Sequence, residues 1–446
     1  MTTAQPRWMG GLSNLQREHG FEPLRIEGRL PPELEGTLYR NGAGIFDRFG
    51  ERCRHWFDAD AALTAVRIRD GKAQGATRIH RTPAFEREER AGRRLFGGWN
   101  TPMKRPLREL FGKDTKNPSS TAVLPWRGKL LTLCEGGKPV EMDPEDLRRV
   151  GETDLGAIRA AFSAHPHRAR GAIYNIGLRL GRRTRITVYE MREAVRSIAE
   201  IELDRPLFIH DFIATDRYLV IPVAPWRLRL LPFALGRVGA MDSAQWLDGP
   251  AELIVIPLDE PSRIQRIEVP PHLVEHVVAA CDDGPGRVRA WVTQYRNLEA
   301  REGFLRGLVR GEVERPLGSR VTRLDIDVAR GRVTFEDVGA PGAELPSSAD
   351  GRGYMVGYAQ EESRAPWDSI LAVDLDSGAV DRWVSGGYPG EPLVAGDYLL
   401  TLVYDPDAGA SAIAILPRAR IGDGPVAKLW FDQPIPFGFH GCWIAA

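Results

Sequence analysis

The chain has little cysteine. Its four residues, Cys53, Cys134, Cys281 and Cys442, stand far apart with no C-x-x-C pair. At this length that argues against a disulfide framework. It has no run of 18 or more apolar residues, so no spanning helix is expected. The opening MTTAQPRWMGG lacks the apolar core of a signal peptide. Net charge is also missing: 60 basic residues balance 60 acidic ones, which predicts no nucleic-acid surface. WD and kelch signatures are absent, and no linker is long or low-complexity enough to divide the chain. The expectation is a protein of a reducing cytoplasm, with a poorly structured lead-in over 1–30 and a single domain over 31–446.

Glycine and proline are abundant, at 47 and 33 of 446 residues. That exceeds the roughly 12% of ordinary composition and has no collagen-like period. Many turns between short strands would account for it. Alternating apolar patterns predict strands over 186–190, 218–223, 251–257 and 287–295. Hairpins are predicted around 329–331 and 376–378, and another pairs 398–404 with 411–416. Strands at this spacing point to an all-β propeller or sandwich. Two helices are expected. One starts at Asp143-Pro144, with Asp as cap and Pro at the first helical position. The other is a short one over 106–111, inside the charged stretch 86–116.

Two stretches break the β pattern, 226–235 (Trp226 to Leu235) and 304–309 (Phe304 to Val309). Both mix Arg with large apolar residues. They read either as packed loops or as an interfacial patch touching the inner membrane surface. The tail Pro436-Phe437-Gly438-Phe439-His440-Gly441-Cys442-Trp443 is unusual for a terminus. It is apolar and aromatic, so it reads as a strand returning into a core, with a histidine that a metal could anchor. Histidine is the commonest protein ligand for transition metals. Besides His440, His165, His210 and His276 stand in suggestive settings. The residues alone leave open a metal site or four hydrogen-bonded core histidines.

Four segments together resemble a known family. PFGFHGCW, SAHPH at 163–167, IHDFIAT at 209–215 and HVVAACDD at 276–283 are similar to the histidine motifs of the carotenoid cleavage oxygenases. The resemblance runs from about residue 30 to the end. It implies a seven-bladed β-propeller with one Fe(2+) on its axis, held by His165, His210, His276 and His440. A loop and helical cap would form the substrate tunnel. Glu135, Glu344 and Glu391 match the family's glutamates that hold the imidazole N–H groups. His167, His272 and His55 would not be ligands, His55 lying in a structural H-x-F-D element.

The pattern departs from the family at three places. Ala59 stands where Gly is typical, Ala279 where Asn is common, and Cys134 where stilbene-cleaving relatives carry Lys. The implied activity is oxidative cleavage of a carbon–carbon double bond in a carotenoid or apocarotenoid by dioxygen, giving two carbonyl products. Trp99, Phe233 and Phe304 are expected along the tunnel. The rivals are cleavage of a stilbene or phenylpropanoid alkene, isomerisation without cleavage, and a propeller scaffold that has lost its metal. The presence of all four histidines argues against the last.

Overall fold

The computed structural model describes residues 5–102 and 116–446. Among them, the strands gather in seven antiparallel sheets of four or more strands, the blades of a propeller. Blade one joins His19–Pro23, Lys72–Ile79, Asp60–Arg69, Gly36–Ile45 and the tail Gly438–Ala445. Blade two spans Ala122–Trp126 to Arg149–Glu152, and blade three Ala161–Phe162 to Val195–Leu203. Blade four runs from Ile213–Ala214 to Gln265–Val269, blade five from Leu273–Asp282 to Arg332–Gly339, and blade six from Glu344–Ala349 to Val380–Val384. Blade seven begins at Tyr388–Pro389 and ends on Ala427–Trp430, with Arg25–Gly28 added outside.

Both ends of the chain close this ring. Residues 25–28 pair with blade seven, the chain then builds most of blade one, and the tail returns to supply that blade's inner strand. A propeller leaves only short, protected sheet edges, and pairing both chain ends into its first and last blades locks the ring. The lead-in over 1–30 therefore carries two blade-edge strands. The inner strands of neighbouring blades touch one another, so what they carry is brought together at the centre. Apolar layers fill the space between blades. Leu131, Leu133 and Tyr189 lie between blades two and three; Leu253, Val292 and Leu324 lie between four and five. Burying each such side chain contributes about 1.5–3 kcal/mol.

The strands predicted at 218–223, 251–257 and 287–295 occur with those bounds. The helix expected at Asp143 does not form. Asp143 Oδ1 instead accepts the Glu145 N–H at 2.8 Å, and Leu147 turns to φ 58° before the strand Arg149–Glu152 begins. A side chain that can cap a helix here caps a tight turn. The helix expected over 106–111 lies outside the described residues.

Among the described residues three α-helices interrupt the β pattern. α1 is Pro83–Ala91, capped by Thr82. α2 is Leu230–Ala234, in an insertion between two strands of blade four. α3 is Leu298–Arg310, inserted in blade five; Asn297 caps it and Gly311, at φ 76°, ends it. The patch reading of 304–309 is corrected here. Phe304, Leu305, Leu308 and Val309 are buried against the body, so this stretch offers lipid no apolar face. In the other stretch Trp226 and Leu228 are buried, and of its large apolar residues only Leu231 stands well out, at 71% exposed. Among the described residues no helix is long and apolar enough to cross a membrane.

Candidate metal centre

Each blade contributes one residue to the centre of the ring. His440 comes from blade one, Glu135 from blade two, His165 from three, His210 from four, His276 from five, Glu344 from six and Glu391 from seven. One potential ligand atom from each of the four histidines falls within 4.8 Å of the others. The ring of His165 lies 4.3 Å from that of His210, 5.1 Å from His276 and 4.7 Å from His440.

Three carboxylates stand behind three imidazoles. His276 Nδ1 lies 2.5 Å from Glu344 Oε2, and His440 Nδ1 lies 2.8 Å from Glu391 Oε1. His210 Nδ1 lies 2.7 Å from Glu135 Oε1. A carboxylate facing Nδ1 fixes the proton there and leaves the Nε2 lone pair free. His210 Nε2 and His276 Nε2 accordingly point at one another, 3.1 Å apart. His165 has no such carboxylate; its Nε2 is buried without any hydrogen-bond partner. Burial and the neighbouring His210, His440 and His276 push the His165 pKa well below its ordinary value, so this ring is neutral. An orphaned buried nitrogen beside three further inward-facing imidazoles fits a divalent transition-metal cation.

The backbone around the cluster is tightly specified. Side chains have little room on the strand of the tail histidine or on the strand it pairs with. A Cβ on Gly441 would meet the Tyr39 carbonyl oxygen at 2.3 Å, and one on Gly42 would meet Gly438 Cα at 2.3 Å. Glu391 also accepts the Gly441 N–H at 2.9 Å, so one carboxylate orients both the ring and the strand that carries it. Arg40, fully buried, donates to the Glu391 carbonyl at 2.7 Å. Glu344 accepts three donors: His276, the Tyr295 hydroxyl at 2.8 Å and the Leu345 N–H at 3.0 Å. Burial would raise the Glu344 pKa, but the facing His276 outweighs it and holds the carboxyl below its ordinary range.

His167 does not join the cluster. Its Nε2 lies 2.6 Å from Asp211 Oδ1, and Asp211 also accepts the N–H groups of Phe212 and Val277, each at 2.7 Å. Asp211 therefore ties together the chain segments that carry His165, His210 and His276. Sequence reasoning missed it, as it missed Arg40. The adjacency of Asp211 to His210 was the one available signal. His272 hydrogen-bonds the Pro270 carbonyl at 2.7 Å. It stands four residues before His276, and on extended chain that separates them by roughly 13 Å. His55 caps the short turn Trp56–Asp58 by accepting the Phe57 N–H. Asp58 in turn accepts the Asn100 N–H at 3.1 Å and the Thr101 hydroxyl at 2.7 Å, fixing the loop that presents Trp99. Ala59 has φ −65°, so Ala in place of Gly costs no strain there.

A cavity of about 520 Å³ reaches His210, His276 and His440. Its walls include Leu178, Phe208, Trp226 and Leu345, with Trp99 and Phe233 as expected. Phe304 is corrected: it packs behind the wall, its ring 5.5 Å from that of Trp367, and Leu305 faces the cavity instead. Cys134 lines the cavity, and burial beside Glu135 pushes its thiol up to about 11, so it stays protonated at neutral pH.

A protein-family model described as retinal pigment epithelial membrane protein matches residues 13–445. The chain belongs to this family, the carotenoid cleavage oxygenases. It is 28% identical to the apocarotenoid-15,15'-oxygenase of Synechocystis sp., over 98% of this chain and 96% of that protein. It is 24% identical to the isoeugenol monooxygenase of Pseudomonas nitroreducens, over 98% of both. Among solved structures, a cobalt-substituted Synechocystis ACO superposes with a TM-score of 0.89 at 27% identity, covering 99% of this chain and 98% of that one. An ACO/RPE65 chimera does so with 0.88 at 26%, with the same coverage.

Proposed function

We propose that this member of the family is a non-haem Fe(II) dioxygenase that splits a carbon–carbon double bond of a carotenoid or apocarotenoid. One observation carries the reading. Four imidazoles from four blades converge, and three of them are turned by carboxylates so that Nε2 faces inward. His165, His210, His276 and His440 would hold the ion, with Glu135, Glu344 and Glu391 holding the rings. Four neutral ligands leave a ferrous ion its full charge, and when bound it would supply the binding and activation of dioxygen beside the alkene.

The rest falls to the chain. The apolar and aromatic wall takes up a conjugated hydrocarbon and keeps water from it. The balance is simple: one dioxygen is consumed, the double bond breaks, and each alkene carbon leaves as a carbonyl carrying one oxygen atom. No outside reductant is needed, and no side chain has to act as nucleophile. The full-length kinship to an apocarotenoid oxygenase supports the substrate class. The test is metal analysis of purified protein, followed by mass spectrometry of products from a carotenoid panel under ¹⁸O₂. One iron per chain and labelled carbonyl fragments are expected. Iron-free protein that stays inert after loading with Fe(II) would refute the reading.

A further inference from the structure

One carboxylate near the centre stands on the other side of the imidazoles. Glu275 precedes His276 in blade five and is buried, at 4% exposed, yet it lines the cavity. Its Oε2 accepts Arg301 Nη1 at 2.6 Å. Its Oε1 lies 3.8 Å from His210 Nε2, the nitrogen facing away from Glu135. Among the described residues no donor reaches Oε1 within hydrogen-bond distance. Arg301, from α3, is meanwhile already paired. Its Nε and Nη2 donate to Glu302 Oε1 at 3.0 and 2.8 Å, and Trp99 Nε1 donates to the same oxygen at 3.3 Å.

Charge counting makes Glu275 the anomaly. Arg301 and Glu302 form a buried pair that is neutral by itself, so Glu275 brings a further negative charge to the cavity wall, 3.8 Å from His210 Nε2. Burying a carboxylate is expensive unless its oxygens are satisfied. Glu344 and Glu391 spend their oxygens on Nδ1 groups and on backbone or hydroxyl donors, and Glu135 Oε1 faces His210 Nδ1 at 2.7 Å. Glu275 spends one oxygen on Arg301 and leaves the other at the cavity wall with no hydrogen-bond donor among the described residues.

We propose that Glu275 Oε1, held by Arg301, accepts a hydrogen bond from a hydroxyl of the substrate, so that the alkene taken by this chain carries an alcohol or phenol O–H. This rests on the reading that the cavity takes an alkene. Glu275 is a specificity-determining residue: it fixes where the molecule stops in the tunnel. A hydroxyl supplies the donor that the carboxylate lacks, whereas an all-hydrocarbon substrate buries it unpaired.

The test needs binding, with no turnover. Metal-loaded holoprotein is titrated without oxygen, and quenching of tryptophan fluorescence is followed. The probes are matched pairs: 4-hydroxystilbene with 4-methoxystilbene, and a hydroxy-apocarotenal with its methyl ether. Wild type should bind the hydroxyl member of at least one pair about tenfold tighter or more, the level of a hydrogen bond to a charged group. Glu275→Gln leaves Arg301 paired with Glu302, and it should reduce that preference below about threefold while methyl ether binding holds. Glu275→Asp keeps the charge but withdraws the oxygen, and should reduce the preference too. No preference in wild type for either pair overturns the proposal, and that result needs no variant to fold. A preference retained in Glu275→Gln overturns it as well. A shift of the visible band of cobalt-loaded protein on Glu275→Gln, with no hydroxyl preference, would assign the donor to solvent at the metal and also overturn it. Failure to hold iron or to form carbonyl products would count against the proposed function and leave the binding preference readable.

Discussion

Replacing Glu344 by Gln changes one charge and almost no volume, which makes it a sharp test of how the proposed ligand His276 is held. All three partners of Glu344 are donors: His276 Nδ1, the Tyr295 hydroxyl and the Leu345 N–H. A carboxylate accepts from all of them. An amide must turn its NH₂ toward at least one; turned to the Tyr295 hydroxyl, which can accept, it leaves that O–H without its acceptor and gives His276 a neutral oxygen in place of a charged one. Hydrogen bonds to charged groups contribute about 1.5–3 kcal/mol, and leaving a buried donor unmet costs about 1–3 kcal/mol. Loss of such an orienting partner commonly lowers metal affinity about 10–100-fold. The expected result for Glu344→Gln is therefore iron binding weaker by that factor, measured by competition with a chelator of known affinity. Melting provides the second readout. A ligand at 100 times its Kd stabilises the folded state by about 2.7 kcal/mol, and a tenfold loss of affinity removes about 1.4 kcal/mol of this. The rise in melting temperature on adding Fe(II) should shrink accordingly. Wild-type affinity together with an undiminished Fe(II)-dependent rise would refute the claim that Glu344 orients a ligand.

Four further outcomes are expected. His440→Ala should lose iron but keep most of the apoprotein's melting temperature, whereas deleting 438–446 strips the inner strand from blade one and should lower both; equal melting temperatures for the two would show that the tail is not a structural closure. Asp211→Ala frees His167 and two backbone N–H groups at once and should weaken iron binding about tenfold or more, on the scale of lost charge-assisted bonds; unchanged iron affinity would show that the three segments are held elsewhere. Burial pushes His80 down to about 4, so its neutral form is favoured on folding. The stability this contributes is fully present above the unfolded value near 6.5, and roughly 3 kcal/mol of it is lost as pH falls through 4. A His80→Gln variant should show a flatter stability curve across that window in denaturant titrations, and an identical slope would remove His80 from the account. Leu231→Ser, at the exposed crest of α2, should reduce binding to anionic liposomes in a flotation assay; full binding would place any lipid contact elsewhere.

Local pattern went far with the blades. Alternation of apolar residues has a short range, and strands such as Tyr218–Val223 and Arg287–Tyr295 carry it entirely within themselves. It failed at Asp143, where cap chemistry serves a turn as readily as a helix, and it left 304–309 open between a packed segment and a surface patch, because Arg residues stand beside apolar ones. There α3 turns Phe304, Leu305 and Leu308 inward while Arg306 stays partly out. A helical period separates the two faces, and a short stretch read by eye does not.

The sequence by itself determined the ingredients: an all-β chain rich in turns, four histidines in apolar settings, and a tail whose glycines allow it to pack tightly. Its resemblance to a family pointed to which histidines and glutamates belong together. Only the tertiary structure decided that they meet. Residues from 135 to 440 converge because seven blades present their inner strands to one centre, and no local spacing encodes that. The same holds for Asp211 with His167 and Val277, for Arg40 with Glu391, and for Glu275 with Arg301. Each is an ordinary charged or polar residue in the sequence. Each becomes specific only when folding removes water from around it and leaves a few partners, drawn from distant segments, to satisfy it.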